Sequence, residues 1–320
     1  MSSAPVTIQD PASGSSASLL PSLGFNCFSW RPALALAEGP ATPEMLWAEE
    51  EFAQGSGRPS RSGTPLLFPF PGRIRAGAFE FEGNRYQVEP SDGLGNAIHG
   101  FALRAAWRVV EQTTEAITAE YQPSIDDPDA VGQWTGDYRL RATYRVVGTR
   151  LDLSVAATNL SDHPLPFGFG THAYFRLPLA GATDDAEATI VRAPVDAVWN
   201  AAGLVPDGGT APLGALGESL PAGGALAGRE FDTPYRFASG ARETVIHDPR
   251  SGVTLTQTFD ESMRCCVIYT PGHREAICLE PYTCVPNPFE LEAAGIDTGL
   301  LVLAPGETYR TAIGLEVSVA

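Results

Sequence analysis

Between Tyr309 and Val319 the chain alternates without a break. Tyr309, Thr311, Ile313, Leu315, Val317 and Val319 fall on one side, and Arg310, Ala312, Gly314, Glu316 and Ser318 on the other. A period of two is the signature of a strand with one buried face. The pattern recurs in shorter pieces. Residues 144–158 read as a hairpin that turns at Gly148 and Thr149, with Leu151, Leu153 and Val155 alternating on the return. Residues 244–259 read as a second hairpin, turning on Asp248-Pro249-Arg250-Ser251-Gly252. Residues 107–121 and 265–269 add further strands. The 33 glycines and 27 prolines interrupt the chain too often for long helices.

Only residues 43–53 have a helical look, with Met45, Leu46 and Phe52 for a buried side and acids opposite. Residues 211–227 are rich in Gly and Ala and read as a surface loop. Residues 1–20 are small and polar and read as a flexible tail. The expectation is an antiparallel all-β protein, a large β-sandwich with few short helices. Residues 21–320 would form a single domain, because two facing sheets bury the alternating positions.

All 21 basic residues are arginine, against 38 acids, for a formal charge of −17. Without lysine there is no Schiff base, no pyridoxal-phosphate attachment and no P-loop lysine. The acidic balance argues against nucleic acid, whose phosphates need a basic surface. No apolar run reaches membrane-spanning length. The first 18 residues lack the basic and apolar regions of a signal peptide. Five cysteines (Cys27, Cys265, Cys266, Cys278 and Cys284) make an odd count with no CxxC pair. That predicts small buried thiols in a reducing cytoplasm rather than a disulfide framework.

Three residues stand out chemically. His99 follows the loop-forming stretch Asp92-Gly93-Leu94-Gly95-Asn96 and precedes Gly100; it reads as a site residue or as a turn-capping histidine. His172 lies among Phe167, Phe169, Tyr174 and Phe175, with Gly168 and Gly170 allowing close backbone approach. It reads as a residue of an aromatic-walled sugar cleft or as a core histidine bonded to a carbonyl. Glu280 ends the apolar run Ala276-Ile277-Cys278-Leu279 and precedes Pro281. Burying a carboxylate there is costly unless it is paired with an arginine or its acidity is used. Pro281 is expected to stop the ladder and turn the carboxylate into a cleft.

Other features carry less. His163, His247 and His273 sit in turn-like contexts and read as surface residues. Trp107, Trp134 and Trp199 read as core or as cleft lining. Glu290 and Glu292 look like a solvated segment. Two histidines and a glutamate also fit a zinc set, but no HxxxH or HxH spacing supports a metal.

The run from Pro65 through Pro69-Phe70-Pro71-Gly72-Arg73-Ile74 is followed by Asn96-Ala97-Ile98-His99-Gly100, then by Gly170-Thr171-His172-Ala173-Tyr174-Phe175, then by Leu279-Glu280-Pro281. In this order they resemble the motifs of the aldose 1-epimerase (galactose mutarotase) family and span most of the chain. The resemblance implies a galactose mutarotase-like sandwich and a cofactor-independent isomerase acting on a small sugar. By the same resemblance Glu280 is the general base, His172 the general acid, and His99 a second histidine steadying the ring oxygen. Arg73, Asp232, Asn96 and Tyr174 would contact the substrate. A branch of the family handles hexose 6-phosphates, and Arg73, Arg75 and Arg104 near the motifs could serve a phosphate. The alternatives are a non-catalytic sugar-binding or sensor protein on the same fold, and a glycoside hydrolase or lyase with a second essential carboxylate.

Overall fold

The alternating segments pair into antiparallel ladders in a computed structural model that describes residues 4–180 and 186–320. Among the described residues the largest sheet has nine strands. Its centre is the hairpin Tyr138–Val147 and Arg150–Asn159, with Thr308–Val319 beside it. Val253–Phe259 and Glu243–Asp248 continue one edge, and Ala116–Tyr121 and Arg108–Gln112 the other. The second sheet has eight strands. Asp232–Phe237, Cys265–Tyr269 and Ala276–Tyr282 lie side by side in it, and Gly170–Thr171 and Tyr174–Arg176 both pair with the last of these. One apolar core joins the sheets: Ile117, Tyr138 and Leu153 from the first meet Phe175, Ile268, Ile277 and Leu279 from the second. That is the sandwich the alternation predicts. The longest α-helix among the described residues is six residues, Pro288–Ala293.

Three expectations need correction. The described part of the segment read as a tail, residues 4–20, is ordered; residues 1–3 lie outside the described residues. Val6–Gln9 and Ser16–Leu20 form a sheet with Asn26–Arg31. Its small, polar composition hides Ile8 and Leu19, both fully buried in the core. Asp10 secures the turn, accepting hydrogen bonds from Ala12 N–H, from the Ser13 hydroxyl and from Gly148 N–H at the tip of the central hairpin.

Residues 43–53 are not an α-helix. The segment runs extended, Leu46 bridges to Phe175, and only Phe52–Gln54 makes a 3₁₀ turn. Met45, Leu46 and Phe52 are buried as expected. Their backbone groups are satisfied by neighbouring chain, for example Trp47 N–H to Tyr174 O, so no helix is needed. The 211–227 stretch carries a helical turn, Gly214–Gly217, and an edge strand, Gly224–Ala225, and buries Leu220 and Leu226.

Candidate active site

Every residue of Ala276–Tyr282 is buried, yet the strand still alternates. Ile277 and Leu279 enter the core between the sheets, whereas Cys278, Glu280 and Tyr282 face the other way. Antiparallel partners share a face, so the ladder selects which side chains meet there. Val267 pairs with Glu280, Pro234 with Val267, Asp232 with Tyr269, and Tyr174 with Cys278. The pairs Gly170↔Tyr282 and Tyr174↔Cys278 leave His172 opposite Glu280. Asp232, Pro234, Val267, Tyr269, Glu280, Tyr282, His172 and Tyr174 all line one cleft of about 560 Å³, within the range of small-ligand sites.

Pro281 does not stop the ladder, contrary to expectation. Pairing with Cys265–Tyr269 runs through Cys266↔Pro281 to Cys265↔Tyr282. Backbone groups alternate sides along an antiparallel strand. Tyr282 O accepts from Arg264 N–H on one side, so the missing N–H of Pro281 faces the other. There the ladder is already interrupted, between Gly170–Thr171 and Tyr174–Arg176. His172 sits in that gap.

His172 Nε2 lies 3.4 Å from Glu280 Oε1. The exposures are 8% and 1%. Tyr174 stacks flat on the His172 ring, with centroids 4.9 Å apart, and its hydroxyl donates to Ser60 O. The Tyr282 hydroxyl donates to Glu280 Oε2. Gly170 makes room for this, because a Cβ there would lie 2.3 Å from the Tyr282 ring. Glu280 Oε1 and His172 Nδ1 have no hydrogen-bond partner. Burial raises the Glu280 carboxyl far above its usual range; Asp232 adds to that, against the opposing pull of Tyr282 and Arg73. Burial likewise pushes His172 down to about 3. The uncharged form of each is favoured.

His99 reaches the cleft from a different element. The two-residue strands Arg73–Ile74 and Ala97–Ile98 pair, and the chain then turns sharply, with His99 at φ 64° and Gly100 at 68°. A left-handed conformation costs a non-glycine residue about 1–2 kcal/mol. Two reciprocal bonds hold it: His99 N–H donates to Gly72 O at 2.9 Å, and Gly72 N–H donates to His99 Nδ1 at 3.1 Å. Because Nδ1 accepts, the neutral ring carries its proton on Nε2. Burial, then His172, then Arg73 and Arg104 hold His99 well below its usual value. It meets His172 edge-on, with ring centroids 5.4 Å apart. At Gly100 an added Cβ would lie 2.2 Å from Phe68 O. Gly100→Ala is therefore expected to lower stability by about 2–3 kcal/mol, measured as a fall in the urea midpoint.

Arg73 lines the cleft with its Nε held 3.0 Å from Asp92 Oδ2. Burial pulls the Asp92 carboxyl up, but hydrogen bonds from Asn96, Leu94 and Arg73 outweigh it and hold the group down to about 2. Asp92 is thus a fixed anion that orients Arg73. Asp232 stands at the exposed lip, its carboxyl raised by partial burial against the pull of Arg73. Asn96 lies outside the lining: its amide donates to Asp92 and accepts from Ala76 N–H. These bonds shape the loop that carries Asp92. Arg75, a candidate for phosphate, is turned away and paired with Glu290 at 2.9 Å.

Trp107, Trp134 and Trp199 are all buried in apolar clusters, and none of them lines the cleft. His163 and His273 are at the surface, but His247 lies half-buried within Glu243–Asp248 and not in a turn. The five cysteines are buried and free. His172, Cys278 and Glu280 have donor atoms within 4.8 Å of one another. Burial holds the Cys278 thiol far above its usual range.

Sequence reasoning missed Tyr282, Tyr269, Asp92, Arg58 and Arg61, all of which line the cleft. A signal existed for two of them. Tyr282 is two residues past Glu280 and so shares its face, and Asp92-Gly93 is an Asx-turn sequence.

A family model described as Aldose 1-epimerase matches residues 38–316. An uncharacterized protein of Escherichia coli K12, YihR, is 24% identical over 248 residues, 77% of this chain and 76% of that one. The fold is similar to that of a galactose mutarotase-like protein from Clostridium acetobutylicum, with TM-score 0.84, 19% identity, and 96% and 94% of the two chains covered. It is also similar to a GalM/aldose epimerase homologue from C. elegans, with TM-score 0.82, 18% identity and both chains covered in full.

Proposed function

Since this chain belongs to the aldose 1-epimerase family, we propose that it interconverts the α and β anomers of a hexose by acid–base transfer through His172 and Glu280. The observation that carries the reading is the meeting of these two buried groups, 3.4 Å apart, on the floor of a sugar-sized cleft. Glu280 takes the proton from the C1 hydroxyl while His172 protonates the ring oxygen, and the C1–O5 bond breaks. Rotation about C1–C2 presents the other face of the aldehyde. Ring closure then returns both protons. The Nε2–H of His99 donates to the ring oxygen, and Arg73 and Asp232 hold hydroxyls.

Ring opening starts from the charged pair, carboxylate and imidazolium, which holds the same single proton as the uncharged resting pair and forms from it when Glu280 passes that proton to His172 across the 3.4 Å gap. After ring opening Glu280 is protonated and His172 is neutral, which is the uncharged pair that burial favours. The site's electrostatics therefore match the open-chain aldehyde, the species nearest the barriers on either side. Tyr174 and Tyr269 provide aromatic walls for the sugar.

Polarimetry on freshly dissolved α-D-glucose and α-D-galactose, in low buffer, tests the reading. Equilibration accelerated in proportion to protein is the expected result. Sugar binding by calorimetry with no acceleration for either sugar or for a hexose 6-phosphate would replace it with a sugar-binding or sensor role.

A further inference from the structure

Ring opening needs carboxylate and imidazolium, whereas burial favours the uncharged pair. Some group in the site has to lower the cost of the charged form. The His172 end offers no hydrogen bond for it, since Nδ1, on the far side of the ring, has no partner. The Glu280 end does. Its Oε1 is without a partner and lies 3.4 Å from His172 Nε2, whereas Oε2 accepts from the Tyr282 hydroxyl. Arg73 adds a weaker pull through space.

Tyr282 is held in place for this contact. It follows Glu280 by two residues on Ala276–Tyr282, so both side chains leave the same face. It is 1% exposed and packs with Leu103, Trp199 and Val285. Across the ladder its partner is Gly170, where a Cβ would lie 2.3 Å from the ring Cδ1 and 2.9 Å from Cε1. A buried phenol needs a hydrogen-bond partner, and among the described residues this hydroxyl has that one bond, to Glu280. Burial, then Glu280, raises the phenol above its ordinary range, so at neutral pH it donates. A donor bonds a carboxylate more strongly than a neutral carboxyl. The bond therefore tightens when the proton leaves Glu280 for His172.

We propose that Tyr282 is a positioning residue for the proton transfer: its hydroxyl ties down Oε2, leaves Oε1 as the base atom beside His172, and favours placing the single proton of the pair on His172. The inference rests on the epimerase reading and deepens it, by naming what makes the reactive charged pair accessible in a buried site. Tyr282 acts through Glu280 and exchanges no proton with the sugar.

The test compares wild type with Tyr282→Phe, which keeps the ring and removes the hydroxyl. Anomer exchange of galactose is followed by NMR magnetisation transfer across acid and alkaline pH. A kcat lower by about 10–100-fold is expected, the worth of a hydrogen bond to a charged group, with KM changed by less than about twofold. The alkaline limb of kcat should move up by about one to two pH units. That limb marks loss of the pair's one proton, which leaves a carboxylate. Without the phenol that carboxylate is less stable, so the proton is held to higher pH. The acid limb, where a second proton reaches His172, should stay. The other groups facing the pair are Tyr174, Asp232, Tyr269 and Arg73, with the thiols of Cys265, Cys266 and Cys278. The variant leaves all of them in place. Fluorotyrosine at position 282, a stronger donor on the same ring, should move the alkaline limb down. A wild-type kcat in Tyr282→Phe, or a lower kcat with an unmoved alkaline limb, overturns the proposal and leaves the epimerase reading intact. If wild type exchanges no sugar the epimerase reading falls, and carbon-13 NMR of the Glu280 carboxyl, assigned by its loss in Glu280→Gln, decides on Tyr282. Titration at higher pH in Tyr282→Phe sustains its hold on the proton, and an unchanged titration removes it.

Discussion

Glu280→Gln is expected to slow anomer exchange by about 10²–10⁴-fold and at the same time to stabilise the protein. The loss follows from chemistry, since an amide cannot accept the C1 hydroxyl proton. The gain follows from burial. Glu280 is 1% exposed, has one oxygen without a partner, and titrates well above its usual 4.5. Between 4.5 and that raised value the folded chain keeps a proton that the unfolded chain has released. The folded state binds more protons there, so stability falls as pH rises. At neutral pH the wild type carries that penalty and glutamine does not. Glutamine also retains an oxygen to accept from Tyr282. A melting temperature higher by about 2–4 °C at pH 7 is expected, together with lost exchange. A variant that exchanges anomers as fast as wild type would remove Glu280 from the reaction.

The second large effect is on acid stability. His172 is pushed down to about 3 and His99 well below 6.5, each by burial first. As pH falls below 6.5 the unfolded chain takes up protons that the folded site refuses. Stability therefore rises with pH in this window and is lost on acidification, by about 1.4 kcal/mol per pH unit for each histidine. Glu280 acts in the opposite sense, but only above 4.5. Below that value the histidines act without its compensation, and the steepest loss is expected between pH 4.5 and about 3. His172→Gln should cut the contribution of the site to that slope by about half, read from urea midpoints at successive pH values. Identical slopes for the two proteins would mean that His172 is a protonated ion-pair partner of Glu280, and the uncharged resting pair would have to be given up.

The case of Pro281 shows how far local reading reaches. Pro281 does not end its own ladder, which pairs on to Tyr282, although the carboxylate before it does face a cleft. The interruption falls on the neighbouring element, where His172 leaves the ladder. A proline lacks its N–H on one side of the strand only, and which neighbour occupies that side is a matter of sheet order. Residues 43–53 misled for a related reason. The burial of Met45, Leu46 and Phe52 was legible, but helix and extended chain both bury such a pattern, and here Trp30 and Tyr174 supply the backbone partners. Asn96 belongs to the recognisable motif, yet its amide serves Asp92 and Ala76.

What this chain determines by local chemistry is its period-two alternation, its many Gly and Pro breaks and the absence of lysine. Together these dictate an antiparallel sandwich and exclude lysine-based catalysis. The residues that bear acid–base chemistry, His99, His172 and Glu280, are also local, because each stands out against its immediate neighbours. Their meeting is not local. Register alone sets His172 opposite Glu280, and a separate sharp turn at His99 and Gly100 brings in the second ring. Alternation is carried by neighbours along the chain, whereas register and sheet order are carried by hydrogen bonds between segments far apart in it, so only the folded structure could decide them.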